Sequence, residues 1–279
     1  MEPTSQPTDK AARTIHGRTA TRLYVEAPLV AGASIALDAE RAHYLRHVLR
    51  LEAGAAVALF NGRDGQWRAE LEAGRKRVAI VKVHTQMRAQ TATPDLWLVF
   101  APIKRARIDF LAAKATELGV SALQAVFTRH TAVERVNVER LRANAIEAAE
   151  QTERLSVPDV GQPRTLEALL GDWPTGRRLM VCDEAGFGAP IAQALAALDA
   201  AARAAPWAIL IGPEGGFAAE ELARLRGLDF ALPVSLGPRI LRADTAALAA
   251  LACWQALLGD WRLTPKRLDG DYAARGSGS

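Results

Sequence analysis

The chain has 279 residues, 49% hydrophobic and 24% charged, ordinary for a globular protein with a real core and too long for one average domain. Its 35 Lys and Arg against 31 Asp and Glu leave a net charge of +4, which excludes any diagnosis of a nucleic-acid partner from charge alone. The segment "MEPTSQPTDKAARTIHGRTAT" lacks an apolar signal core, and no apolar run reaches the roughly 18 residues of a bilayer span, so no membrane role and a cytoplasmic location are expected.

Residues 1–21 are expected to be a disordered leader. From residue 22 to 84 several short strand-like runs surround one helix, which predicts a small barrel. The helix is "LDAERAHYLRHVLRLEAG", with Asp38 as N-cap and Gly54 as stop. The hairpin signal is "NGRDG", between "AAVALF" and "QWRAELEA". Residues 85–94, polar and ending in proline, are expected to be a linker. Positive charge gathers at 41–50, 75–82 and 104–107.

From 95 to 262 the rhythm alternates between apolar strands and helices. "DLWLVFAPI" leads into "KRARIDFLAAKATELGV", where Ile108, Leu111, Ala112, Ala115 and Leu118 share one face. "ALQAVFTRH" precedes a helix over 138–154. "RRLMVCDEAG" precedes one long helix opened by Pro190. "WAILIG" precedes "AAEELARLRG", and "FALPVSLG" precedes a last helix starting near Thr245. Strands apolar on both faces predict a mostly parallel α/β sheet. Residues 263–279 are expected to be a flexible tail. The two cysteines, Cys182 and Cys253, lie in separate apolar segments, which favours buried thiols in a reducing compartment over a disulfide or a metal site.

In open α/β sheets ligands bind beyond the carboxyl ends of the strands. Three junctions there carry unusual chemistry. "CDEAGFGAP" contains Gly186 and Gly188 but lacks the third glycine of a dinucleotide fingerprint, so a plain turn competes with a nicotinamide site. "IGPEGGF" permits close backbone approach to a ligand, yet holds Glu214 where a structural turn needs none. "LGPRILRADT" carries Arg239, Arg242 and Asp244, and Asp244 could simply cap the last helix. Two successive charged Gly-Pro loops look like two walls of one pocket.

"LIGPEGGF" followed by "LGPRILRADTAALAAL" resembles the RsmE family of ribosomal RNA methyltransferases, in the SPOUT superfamily. The similarity extends back through "KRARIDFLAAKATELGV", "AIEAAEQTER" and "AHYLRHVLRL". It implies an S-adenosylmethionine-dependent enzyme methylating N3 of a uridine in 16S rRNA. It also implies a PUA-like barrel, a C-terminal sheet with a deep trefoil knot, and a homodimer acting on the assembled small ribosomal subunit. By motif the cofactor falls to Glu184, to Gly212, Pro213, Glu214, Gly215 and Gly216, and to Leu236, Gly237, Arg239, Ile240 and Leu241. The sequence departs from the family's pattern at Ala243-Asp244-Thr245, where x-Glu-Thr is usual, and at Ala218, where a capping Ser or Thr is common.

Methylating uracil N3 needs an in-line nucleophile, loss of the N3 proton and stabilisation of the charge on O2 and O4. Arg242 is expected to face the uridine, with Asp244 orienting it or helping the proton leave. Glu150, Gln151 and Arg154 are candidates for a second wall, or for a solvated helix face. RNA is expected to contact Arg22, Arg46, His47 and Arg50, with Leu45, Val48 and Leu49 facing inward, and Lys104 and Arg105 with Arg107 beyond the first apolar strand. No metal is required, and the segment between His43 and His47 lacks the Glu of a zinc helix. A SPOUT enzyme acting on another RNA such as tRNA, and a non-catalytic RNA-binding module, remain alternatives.

Overall fold

The computed structural model describes residues 19–73, 78–182 and 188–263. Most of the expected leader (1–18), the basic residues 75–77, Glu184 and Gly186 in the first junction, and residues 264–279 of the tail lie outside the described residues. The chain divides into two compact units, Met1–Thr91 and Ala92–Ser279.

The first unit is a five-stranded sheet built from β1 (Arg22–Tyr24), β2 (Ser34–Leu37), β3 (Ala56–Phe60), β4 (Gln66–Leu71) and β5 (Ala79–Arg88), with helix α1 (Ala39–His43) after β2. Its order is β1-β3-β4-β5-β2, antiparallel except for β1 with β3. Inward residues alternate along the strands, and Leu23, Ile35, Val57, Leu59, Leu71, Val81 and Val83 form one apolar core. The "NGRDG" turn joins β3 to β4: the Asn61 side-chain oxygen accepts from the N–H groups of Arg63 and Asp64. Gly65 is required there, because a Cβ would lie 2.2 Å from the Arg88 carbonyl oxygen. Strand β5 runs to Arg88, so the first four residues expected as linker continue the sheet.

Asp38 caps α1, accepting from the Arg41 N–H at 2.7 Å. The expected single helix changes at Tyr44 into a π-helical turn, Tyr44–Val48, marked by the Leu49 N–H donating to the Tyr44 carbonyl. The wider turn shifts the helical phase. Leu45 is fully buried, but Val48, expected to face inward, is 60% exposed.

The second unit is a seven-stranded sheet, all parallel, ordered β10-β12-β9-β11-β6-β7-β8. In chain order it runs β6 (Leu96–Phe100), α2 (Arg105–Glu117), β7 (Ala122–Phe127), α3 (Val138–Gln151), β8 (Asp159–Thr165), α4 (Leu166–Gly171), β9 (Arg178–Cys182) and β10 (Ala189–Pro190). There follow α5 (Ile191–Ala196), α6 (Ala200–Ala204), β11 (Trp207–Ile211), α7 (Ala219–Arg226), β12 (Ala231–Ser235) and α8 (Ala243–Leu257). Both sheet faces are covered. Leu96, Leu98 and Phe100 of β6 point into a core shared with α2, α5 and α8, while Val99 points into the opposite core with α4 and α7. That two-residue alternation between two dry layers is why the strands read as continuous apolar runs.

The helix expected from Pro190 is instead two. Pro190 is the N-cap of α5, and α6 restarts at Asp199, whose carboxylate accepts from the Ala202 N–H at 2.7 Å. Arg203 then satisfies the carbonyls of Leu195, Ala196 and Leu198 left open by the break. The edge strand β8 has no apolar run to announce it. Its backbone pairs with β7, and the Gln124 amide donates to the Gln162 carbonyl at 2.8 Å. No helix among the described residues is long and apolar enough to cross a membrane.

Candidate active site

The carboxyl ends of β9, β11 and β12 lie side by side, and the loops beyond β11 and β12 enclose a cavity of about 580 Å³. Its walls are residues 211–217 and 235–243, with Arg107, Cys182, Leu222 and Ala246 completing the lining. The glycine-rich loop and the "LGPRILR" loop therefore face one space, with Gly212, Pro213, Glu214, Gly215, Gly216, Leu236, Gly237, Arg239, Ile240, Leu241 and Arg242 all in contact with it.

The first wall is a tight turn in which the Gly216 N–H donates to the Pro213 carbonyl at 2.9 Å. Gly216 has φ +71°, a conformation that side chains rarely tolerate. At Gly212 a Cβ would sit 2.8 Å from the Phe217 ring, so the ring lies flush against bare backbone. His130, from the loop after β7, braces the turn through its Nδ1, 3.1 Å from the Gly216 carbonyl oxygen. The missing hydroxyl cap at Ala218 is replaced: Glu221 reaches back to accept the Ala218 N–H at 2.9 Å and also accepts the Arg129 N–H.

The second wall begins with Ser235, whose hydroxyl accepts from the Gly237 N–H at 3.3 Å while Gly237 sits at φ +103°. Arg239 and Ile240 are exposed, Ile240 by 91%. Arg242, itself exposed, is the N-cap residue of α8, and its carbonyl accepts from the Ala246 N–H. The helix thus starts at Ala243, two residues before the expected Thr245. Asp244 is therefore inside the first turn and is not the cap; its Oδ1 takes the Thr245 N–H at 2.9 Å.

Arg107, expected beside Lys104 and Arg105 as a phosphate contact, lines the pocket instead. Its Nη1 donates to Glu214 Oε1 at 2.8 Å, and its Nε is 4.0 Å from Asp244 Oδ2. Lys104 is the exposed N-cap of α2, and Arg105 opens that helix.

The remaining candidates described in the second unit do not line this cavity. Arg154 is mostly buried and holds the end of α2, donating to the carbonyls of Thr116 at 2.6 Å and Val120 at 2.5 Å. Burial pushes its guanidinium down to about 10, with Asp260 opposing the shift. These bonds give it a structural role at the end of α2, and it does not line the pocket. Glu150 and Gln151, at the end of α3, do not line the pocket, and the Gln151 amide donates to Glu147. In the first unit Arg22 stacks 4.4 Å over the Phe60 ring and donates to Gln66. Arg46 donates to the Val78 carbonyl, the His47 ring lies 4.8 Å from that of His43, and Arg50 is exposed at φ +54°. No group of three or more His, Cys, Asp or Glu suited to a metal occurs among the described residues. In the first junction Gly188 has a packing role, since a Cβ would meet the Val234 nitrogen at 2.4 Å.

A parallel sheet with a glycine-walled cavity at its carboxyl edge, joined to a small β-rich unit, defines a two-domain enzyme architecture with a site for a nucleotide-like ligand. Residues 90–255 match the RNA methyltransferase domain family, and residues 37–83 match the RNA methyltransferase PUA domain. The chain is 32% identical over 232 residues to the Ribosomal RNA small subunit methyltransferase E of Rickettsia conorii, covering 83% of this chain and 93% of that protein. The Synechocystis protein of the same name is 32% identical over 241 residues, covering 86% and 78% of the two chains. Among solved structures, a putative methyltransferase from Legionella pneumophila in complex with the bound cofactor SAM superposes with TM-score 0.75 at 29% identity, over 86% of this chain and 98% of that one. A ribosomal RNA small subunit methyltransferase E from Neisseria gonorrhoeae bound to S-adenosyl methionine gives 0.75 at 27%, over 86% and 99%. The chain belongs to the ribosomal RNA small subunit methyltransferase E family of RNA methyltransferases.

Proposed function

We propose that this protein is an S-adenosylmethionine-dependent methyltransferase acting on N3 of a uridine in 16S rRNA, with the assembled small subunit as substrate. The observation that carries the reading is the cavity itself, where both Gly-Pro loops expected to hold the cofactor face one space of about 580 Å³. That volume suits a ligand of this size. The residues also fit its chemistry: bare backbone at Gly212 and Gly216 for the adenine edge and ribose, Ile211, Phe217, Leu222 and Leu236 for the apolar base, and the carboxylate of Glu214 near the mouth.

When bound, S-adenosylmethionine supplies an electrophilic methyl group on a sulfonium. The chain supplies placement and charge. Arg242, exposed at the pocket edge, stabilises the anion that develops over O2 and O4 as N3 loses its proton. Asp244, in the first turn of α8 just beyond it, orients Arg242 or helps the N3 proton leave. Lys104 in the second unit, and Arg22, Arg46, His47 and Arg50 in the first, contact RNA phosphates; the side chain of Arg105, expected in the same role, lies outside the described residues. A homodimer and a knotted chain belong to the same reading.

Small subunits from a strain lacking the enzyme provide the test. Incubation with this protein and labelled S-adenosylmethionine is expected to place one methyl group on a uridine N3, mapped by mass spectrometry. Methylation of tRNA instead, or of another atom, would replace the substrate assignment. Saturable binding of S-adenosylmethionine with no transfer to any RNA would leave only the pocket. RNA affinity is expected to fall steeply with salt; a flat dependence removes the phosphate contacts.

A further inference from the structure

Helix α2 starts against the usual electrostatic pattern. Helix N-termini favour anions and capping acceptors, and α3, α4 and α6 follow that rule with Asn137, Thr165 and Asp199; α5 and α8 also lack a side-chain cap, but α5 brings no cation there and α8 has Asp244 in its first turn. The cap of α2 is Lys104, which offers no acceptor, and its first turn contains Arg105 and Arg107 with no acid. A local rule broken without local compensation points to a demand elsewhere. For Arg107 that demand is visible: one guanidinium meets Glu214 on the first wall at 2.8 Å and approaches Asp244, behind the second wall, at 4.0 Å. Asp244 has its other oxygen committed to the Thr245 N–H, which fixes the carboxylate in place.

We infer that Arg107 is a positioning residue, a clamp that sets the separation of the 212–217 and 236–242 walls by holding Glu214 and Asp244 on one rigid planar group. The inference rests on the reading of this cavity as the S-adenosylmethionine site. A guanidinium can hold two carboxylates in a defined relation, whereas an ammonium is a single point charge. The two arms are unequal. The Glu214 arm is a hydrogen bond, and the Asp244 arm stops at ion-pair distance because Asp is one methylene too short to close it. The clamp is therefore slack on the α8 side, and Asp244→Glu tightens it.

The test uses the full-length protein and four variants: Arg107→Gln, Arg107→Lys, Glu214→Gln and Asp244→Glu. Titration calorimetry with S-adenosylmethionine is expected to show about a 10-fold loss of affinity for Arg107→Gln, from the loosened walls and the charge left unpaired. Arg107→Lys recovers part of that loss. Asp244→Glu binds about 2- to 3-fold more tightly than the parent, the gain expected of one improved half-exposed ion pair. In turnover assays Arg107→Gln raises KM far more than it lowers kcat, a split that a general loss of folding does not produce. A ligand-free urea cycle on Arg107→Gln, Glu214→Gln and the double variant is expected to show a coupling of about 2- to 5-fold in the unfolding equilibrium. An affinity for Arg107→Gln within 2-fold of the parent, or independent effects of Arg107 and Glu214 in the urea cycle, overturns the clamp. A parent protein that does not bind S-adenosylmethionine overturns the cavity reading instead, and the urea cycle then decides whether the clamp stands.

Discussion

The seven-stranded sheet has an arginine–carboxylate contact at each end, and the two are built for different purposes. At the amino ends of the strands Arg177 grips both oxygens of Asp95 at 2.9 and 2.8 Å, donates to the Trp207 carbonyl and lies 3.8 Å over the Trp97 ring. Its side chain is only 7% exposed. At the carboxyl ends Arg107 makes one hydrogen bond to Glu214 and one long contact with Asp244, and it is 32% exposed. The first arrangement closes off the sheet, binding the starts of β6, β9 and β11 into one rigid end. The second leaves donors and acceptors facing a cavity. The same pair of residue types yields stability where the guanidinium is buried and reaches both carboxylate oxygens, and a ligand site where it is partly exposed and reaches one.

The sharpest break of that comparison comes from Arg242. Arg242→Ala is expected to cut turnover by about 100- to 1,000-fold, the range for removing one donor aimed at developing charge. S-adenosylmethionine affinity should stay within about 3-fold. Equal losses in both would turn Arg242 into a cofactor ligand, and unchanged turnover would end its assignment.

Arg177→Met probes the opposite end. It leaves Asp95 without its arginine, the buried Trp207 carbonyl without that donor and the Trp97 ring without its cation, at an expected cost of about 1–3 kcal/mol, most of it from the buried carbonyl because Asp95 is half exposed. Urea unfolding measures it, and S-adenosylmethionine affinity at a permissive temperature should match the parent. A variant that loses affinity as well would mean that the two ends of the sheet are coupled.

Two glycines sharpen the contrast further. Gly188→Ala drives a Cβ into the backbone of Val234, which cannot yield, and should destabilise the protein by about 1–3 kcal/mol. Gly212→Ala meets only the Phe217 ring, which can swing aside. It should cost less stability but move the ring into the cavity, lowering S-adenosylmethionine affinity by about 5-fold, equivalent to roughly 1 kcal/mol of overpacking. Unfolding curves and calorimetry on both variants separate the effects; the same phenotype from both would remove the distinction.

What the sequence made legible followed from spacing along the chain. Apolar runs of strand length alternating with helical periods, and the loops at 212–217 and 236–242, carry their meaning locally. The elements it hid depend on partners distant in sequence. Strand β8, "DVGQPRT", has no apolar pattern because β7 and the Gln124 side chain supply its pairing. The break at Asp199 is offset by Arg203 satisfying three carbonyls. Arg154 reads from its sequence as a pocket wall or part of a solvated helix face, because nothing in "EQTER" announces that its guanidinium binds the carbonyls of Thr116 and Val120. Arg107 had a readable signal after all: an arginine in the uncapped, acid-free first turn of α2 is misplaced unless a carboxylate meets it from elsewhere.

The smallest expected effect concerns Cys182, at the end of β9 where the strand meets the cavity. The residue as a whole is only partly buried and reaches the cavity, but enclosure of the thiol, and secondarily the neighbouring Cys253, pushes it up to about 12 from an ordinary value of 9.0. In the unfolded chain the thiol ionises near that ordinary value, so above it the unfolded state releases a proton that the folded state retains. The thiol's contribution to stability is therefore complete below about pH 9 and is lost as pH rises towards 12. Thermal unfolding of the parent should decline more steeply between pH 8.5 and 10.5 than that of Cys182→Ala. Because a thiolate is the reactive species, Cys182 should also alkylate slowly in the folded protein at pH 8. Matching alkaline slopes, or labelling as fast as in urea, would show that the thiol is solvated and that the cavity floor at β9 is as open as its mouth.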